Sequence, residues 1–261
     1  WGMKRTLLFV LALAVIPVGV DAQGTPSDSC SDMTILSPLE DLRTCAEQGN
    51  TSAQNNLGNM YSNGRGVPQD YAEAVRWSRL AAEQGNAVAQ SNLGNMYRDG
   101  YGVPEDDAEA VRWWRLAAEQ GNAYAQSNLG FIYRTGIGVP NDDVEAARWF
   151  QSASEQGMPR ALSYLGYMYM LGHGVPEDNA EGFRLWRSAA EQGYASAQFD
   201  LAGLYGRGDG VEKDKKEAEE WVRKAAEQGL AEAQYNLGWM YADGLDVPED
   251  AAEAMKWLRK A

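Results

Sequence analysis

Cysteine and histidine are nearly missing: two of the first and one of the second in 261 residues. Such a chain cannot build a Cys/His metal centre of ordinary spacing. A Cys/His or Ser/His/Asp catalytic arrangement would have to run through His173 alone. Positive charge is also short, with 23 Lys and Arg against 37 Asp and Glu and a formal charge of -14. DNA, RNA and anionic lipid repel a chain of this kind unless it carries a basic patch. The densest basic run, Lys213, Lys215 and Lys216, is interleaved with acids, so no nucleic-acid partner is expected. Strand signals are absent. What remains is core material, 44% hydrophobic and 10% aromatic, which argues against disorder.

The first segment reads as an address. Lys4 and Arg5 precede an apolar run from Leu7 to Ile16, followed by Pro17, Gly19 and the small-residue site Val20-Asp21-Ala22. This is the layout of a secretory signal peptide over residues 1–22, with cleavage expected after Ala22. A membrane anchor is the alternative reading. The run is short for a membrane span, and nothing later is apolar enough to be one. The expected destination is the bacterial periplasm or the medium, with no stable membrane insertion after cleavage. There, Cys30 and Cys45 are expected to form a disulfide, two free thiols being the alternative. The irregular start before Met3 and the stop at Ala261 also fit a segment of a longer protein.

From Ala46 the chain repeats. Ala-Glu-Gln-Gly begins there, and Glu-Gln-Gly returns five times, ending at Gly85, Gly121, Gly157, Gly193 and Gly229. A strict period of this length marks a solenoid, in which each unit buries its apolar face against its neighbours. Ala53, Leu57, Met60 and Tyr61 share one face of a first helix. Leucine recurs at 57, 93, 129, 165, 201 and 237, and tyrosine four residues after each. A small residue follows every leucine; glycine within a helix costs about 1 kcal/mol, so its recurrence points to close helix approach. Gly64 and its equivalents are expected to end the first helix in the left-handed conformation. Asp70 and Glu73 then open a second helix as a capping box, and Ala74, Trp77 and Ala81 form its buried face. The sequence thus predicts an all-α solenoid: a polar linker (23–33), a capping half-repeat (34–45) and six helix-turn-helix units (46–81, 82–117, 118–153, 154–189, 190–225, 226–261).

These residues resemble the Sel-1-like repeat family, relatives of the tetratricopeptide repeats. The resemblance rests on Ala53-Gln54, Leu57-Gly58, Tyr61, the Gly64-x-Gly66-Val67-Pro68 loop, Asp70, Ala74 and Trp77-x-x-x-Ala81, repeated along the array. Glu212 replaces the loop proline in unit five and Asp246 the loop glycine in unit six. Trp186 stands one residue later than the tryptophans of the other units. The resemblance implies an exported, non-catalytic scaffold or adaptor that binds a protein or peptide on a concave inner surface. A cysteine-rich branch of the family, described as binding or hydrolysing β-lactams, supplies an enzymatic alternative. Its bridged cysteine pair in each repeat is missing from these six units, as is a Ser-x-x-Lys motif.

The acidic loops lack the ligand spacing of an EF-hand, and their aspartates have a capping role, so neither a metal nor a cofactor is expected. The tryptophan column reads as core and His173 as an exposed loop residue. Informative variation lies on the first helices. There the outward positions are Ser52, Asn55 and Asn59 in unit one and Val88, Ser91 and Asn95 in unit two. From unit three they turn aromatic: Tyr124, Phe131, Tyr167, Phe199, Tyr235 and Trp239, with Arg134, Arg160 and Arg207 nearby. These nine are the expected partner-binding residues, since exposed aromatics and arginines concentrate at binding sites. The alternative is that the rings pack between successive first helices. At the far end, Trp257 and Leu258 are expected on an unfinished apolar face open to self-association.

Overall fold

The computed structural model describes Cys30, residues 34–244 and residues 249–261. The proposed signal peptide and nearly all of the linker lie outside this range. The described residues form thirteen α-helices and no strand. A short helix α1 (Leu39–Glu47) leads into six pairs. These are α2 (Thr51–Asn63) with α3 (Tyr71–Glu83), α4 (Ala87–Asp99) with α5 (Asp107–Glu119), and α6 (Ala123–Thr135) with α7 (Asp143–Glu155). They continue as α8 (Pro159–Leu171) with α9 (Asn179–Glu191), α10 (Ala195–Arg207) with α11 (Lys215–Glu227), and α12 (Ala231–Asp243) with α13 (Ala251–Leu258). Each helix packs mainly on the helices just before and after it in the chain, as a solenoid requires.

Local chemistry sets the helix ends. Gly64, in the left-handed region at φ 64°, closes α2, and a glycine does the same for every later first helix. Asp70 accepts from the Ala72 and Glu73 amides to open α3, with an aspartate in that role at each second helix of the array. The return arm of the expected capping box does not form. The Asp70 amide instead donates to the Tyr61 carbonyl at 3.0 Å, and the same bond recurs through Asp250 to Tyr241. Glu73, released from that task, receives Arg76 at 3.1 Å.

Packing corrects the reading of the tryptophans. Trp77, Trp113 and Trp257 belong to one buried column, occupied by Leu185 in unit four. Trp186 belongs to the adjacent column, with Ser78, Trp114, Phe150, Val222 and Leu258. That second column lies against the small residue following each leucine. A Cβ built on Gly94 would sit 2.6 Å from the Trp114 ring, on Gly130 2.7 Å from Phe150, and on Gly166 2.6 Å from Trp186. Where Ala202 brings its own Cβ, the facing residue is the smaller Val222. Gly102 meets a different demand: at φ 73°, its Cβ would lie 2.2 Å from the Tyr71 carbonyl oxygen of the preceding unit. Asp246, at the corresponding place in unit six, lies outside the described residues.

Glutamines link neighbouring units. Gln54 donates to the Ala46 carbonyl at 2.9 Å and accepts from Gln84 at 2.6 Å. Gln90 with Gln120, Gln126 with Gln156, and Gln198 with Gln228 repeat the pairing. Leu162 interrupts the series in unit four.

Both ends depart from or extend the sequence reading. At the first, Cys30 and Cys45 are joined in a disulfide with Cα atoms 5.6 Å apart. Both are buried with Leu42 and Ala46 of α1 against Leu57 and Trp77, and Asn50 donates to the Cys30 carbonyl. At the other end the expectation for Trp257 fails. Trp257 is 3% exposed, packed with Val222, Ala233 and Leu237, while Leu258, which covers Gly238, remains exposed. Helix α13 buries its tryptophan against α11 and α12, as Trp77 is buried against α1 and α2 and Trp113 against α3 and α4.

Candidate first-helix binding surface

One edge of the array is built from consecutive first helices, and its character changes along the chain. In units one to three the helices start at Asn50, Asn86 and Asn122, whose side chains accept from the amides three residues on. Met158, Tyr194 and Leu230 take over in units four to six without a side-chain cap, and pack against the apolar clusters instead. A second polar series runs across the first half. Asn92 donates to Asn59 and Asn128 to Asn95, each at 3.0 Å. Arg160 continues it by donating to Asn128 at 3.0 Å.

The residues expected to bind a partner divide into groups. Phe131, Arg134, Arg160 and Tyr167 come together around Tyr164, which the sequence reading passed over. The Arg160 guanidinium lies 5.5 Å from the Phe131 ring and 5.6 Å from Tyr164. Arg134 lies 5.8 Å from Tyr164 and 4.7 Å from Tyr167. Tyr164 occupies the column held by Asn56, Asn92 and Asn128, and that break in an asparagine series was the available signal. Tyr235 and Trp239 form a separate edge-to-face pair with ring centres 6.1 Å apart, and both are exposed. Tyr124 stands alone and is 70% exposed. Phe199 is half-buried, packed on the cluster of Val222 and Leu237.

In units one to four, one column does not point outward as expected. Ser91, Ser127 and Ser163 are buried, and Asn55 is half-buried with an unpartnered Oδ1. The reason is the facing aromatic: Trp114 donates its indole N–H to the Ser91 carbonyl, and Trp186 does the same to Ser163. In unit five that column holds Phe199. There, Gly203 and Gly206 also replace the side chains that line the edge elsewhere, and a cavity of about 370 Å3 opens beside Asp200 and Arg207. Burial pushes the Asp200 carboxyl up to about 6, opposed by the Arg207 charge. Arg207 is itself held by Asp209 at 2.6 Å.

Among the described residues no His, Cys, Asp and Glu cluster could hold a metal ion, and no helix is long and apolar enough to cross a membrane. His173 is exposed, its ring edge-on to Tyr167.

Comparison with known proteins accounts for the architecture. The Sel1 repeat family model matches residues 51–86, 87–122, 123–158, 159–194, 195–230 and 231–261. These matches begin five residues later than units counted from Ala46; a cyclic period has no origin of its own, and the later phase keeps each helix pair whole. The chain is 41% identical to a protective antigen of uropathogenic Escherichia coli strains displaying an SLR fold, with TM-score 0.74 over 91% of this chain. It spans only 50% of that antigen. It is 38% identical to a Sel1 repeat protein from Oxalobacter formigenes, with TM-score 0.76, covering 80% of this chain and 86% of the other. An immunity protein from Pseudomonas aeruginosa, Pa5087, shares the fold at 21% identity and TM-score 0.54, over 80% of each chain. No curated protein sequence matches significantly. With Sel1 repeats matched without a gap from residue 51 to residue 261 and two solved Sel1-type structures close in sequence, the chain belongs to the Sel1 repeat family.

Proposed function

We propose that this chain is an exported, non-catalytic scaffold that holds an extended peptide or protein segment along its first-helix edge. One observation carries the reading. The tyrosine, phenylalanine and arginine cluster of units three and four, continued by Tyr235 and Trp239, replaces the self-paired asparagines of units one and two. Rings and guanidinium groups in such numbers on one edge are the composition of interface hot spots. The buried disulfide supports an oxidising compartment, periplasmic or extracellular, because cytosolic thiols are kept reduced. Self-association through units five and six is a lesser part of the proposal, since Met255 and Leu258 leave apolar surface on α13.

Affinity capture from envelope or culture-supernatant extract, read by mass spectrometry, identifies the partner. Calorimetry then compares Tyr124→Ala, Trp239→Ala and Phe131→Ala with the exposed control Ser52→Ala. A hot-spot anchor costs about 2 kcal/mol on truncation, or roughly thirtyfold in affinity. Equal affinities across the four folded variants would move the site to the second helices or the loops.

A further inference from the structure

We propose that the cavity beside Asp200 is a recognition pocket for one lysine or arginine side chain of the bound segment. The proposal rests on the scaffold reading above and names a chemical preference within it. Unit five leaves the space by omission. Phe131, Tyr167 and Trp239 occupy the column where Gly203 stands, and Arg134 and Met170 the column of Gly206. Nothing in the packing demands either glycine: both have φ outside the left-handed region, and a Cβ on Gly206 would find only Ala218 at 3.9 Å. On Gly203 it would meet the far end of the Arg207 side chain, at 3.0 Å.

The floor of the space carries a carboxylate that no donor bonds, with Arg207 acting on it only through space. Asp200 stands where Asn56, Asn92, Asn128 and Asn236 stand in other units. No hydrogen bond from the described residues reaches its carboxylate, although it lines the cavity. Arg207, on the same helix, is bonded to Asp209. Tyr194, at the start of α10, feels the Asp200 charge. The neighbouring helices contribute only uncharged side chains to the cavity: Trp186, Ala218, Val222, Asn236 and Met240. A desolvated, unbonded carboxylate is costly, and an ammonium or guanidinium group restores both its hydrogen bonds and its charge balance. Phe199, Trp186 and Met240 line the cavity with apolar surface that suits the aliphatic stem. Net charge favours the same ligand, since a chain at -14 attracts basic segments.

Random peptides displayed on phage are selected against the full-length chain and against Asp200→Asn and Gly203→Phe, each checked for native circular dichroism. The expected outcome is enrichment of Lys or Arg at one fixed peptide position with the unaltered protein and loss of that enrichment with both variants. For a selected peptide, replacing that Lys by norleucine should weaken binding at least tenfold to the unaltered chain and leave binding to Asp200→Asn unchanged. Binding of the Lys peptide should weaken about tenfold between pH 7 and pH 5, as a carboxyl titrating near 6 takes up its proton. Peptides selected without a basic preference, or a Lys preference that survives Asp200→Asn, would overturn the pocket while leaving the scaffold reading in place. Failure to select any peptide would overturn both.

Discussion

Asp200 is the residue at which this repeat protein gives up stability. Its carboxyl has a folded-state value raised from 3.8 to about 6, so the native state holds a proton that the unfolded chain has released. Stability contributed by this group is therefore present below about pH 4, falls as pH rises toward 6, and is flat above. The penalty at pH 7 is on the order of 2–3 kcal/mol. Asp200→Asn supplies the residue that four sister units carry, and should raise stability by that order at pH 7 while removing the loss between pH 4 and 6. Thermal melts across that range check it; an unchanged profile would show that the carboxylate is well solvated. The first helices of units one to three make the opposite choice, spending their asparagines on one another through Asn59, Asn92, Asn95 and Asn128.

At the scale of a helix pair, the determining contact is small against large. Gly94 admits Trp114, Gly130 admits Phe150, and Ala202 is matched by Val222. Gly94→Ala should therefore destabilise by about 1–3 kcal/mol through overpacking, even though alanine is the better helix former. Trp114→Val on its own should also cost, by opening a cavity beside Gly94. The two together recreate the pairing of unit five and should lose less than their sum, a favourable coupling that a denaturant double-mutant cycle measures. Strict additivity would mean that helix spacing is set elsewhere. The second link between pairs is the glutamine series. Gln126→Ala removes the donor to the Ala118 carbonyl and the acceptor of Gln156, and should cost about 1–3 kcal/mol.

Across the whole molecule, contacts are local, and each unit depends on its neighbours. Among the described residues, the first full unit is covered on its open side by α1, a helix of nine residues held by the Cys30–Cys45 bond, with Cys30 and Ile35 beside it. Reduction should lower stability by about 3 kcal/mol on the loop-entropy model for a loop of this length. Hydrogen exchange should show protection lost first in α1 and α2, with α4 onward little changed. Uniform loss along the array would indicate a single cooperative unit in place of a repeat chain.

Much of this was legible in the residues themselves, for a physical reason. Period, leucine and tyrosine columns, capping aspartates and terminating glycines act within one or two helical turns. A strict repetition states them six times, so fold class and helix ends followed from spacing and type, while the disulfide was expected from export of a chain with two cysteines. What lies across an interface did not follow. The sequence shows that a small residue follows each leucine, but only packing reveals that Trp186 answers Gly166 and that Trp257 is buried between α11 and α12. The aromatic edge was visible as composition. Its division into a cation–ring cluster about Tyr164, an exposed pair and a half-buried Phe199 depends on which neighbouring helix each side chain meets. The gap at Gly203 and Gly206 lay in the sequence all along. It becomes a pocket with an unbonded carboxylate only when α9, α11 and α12 close around it, because burial and missing hydrogen bonds are properties of the assembled array.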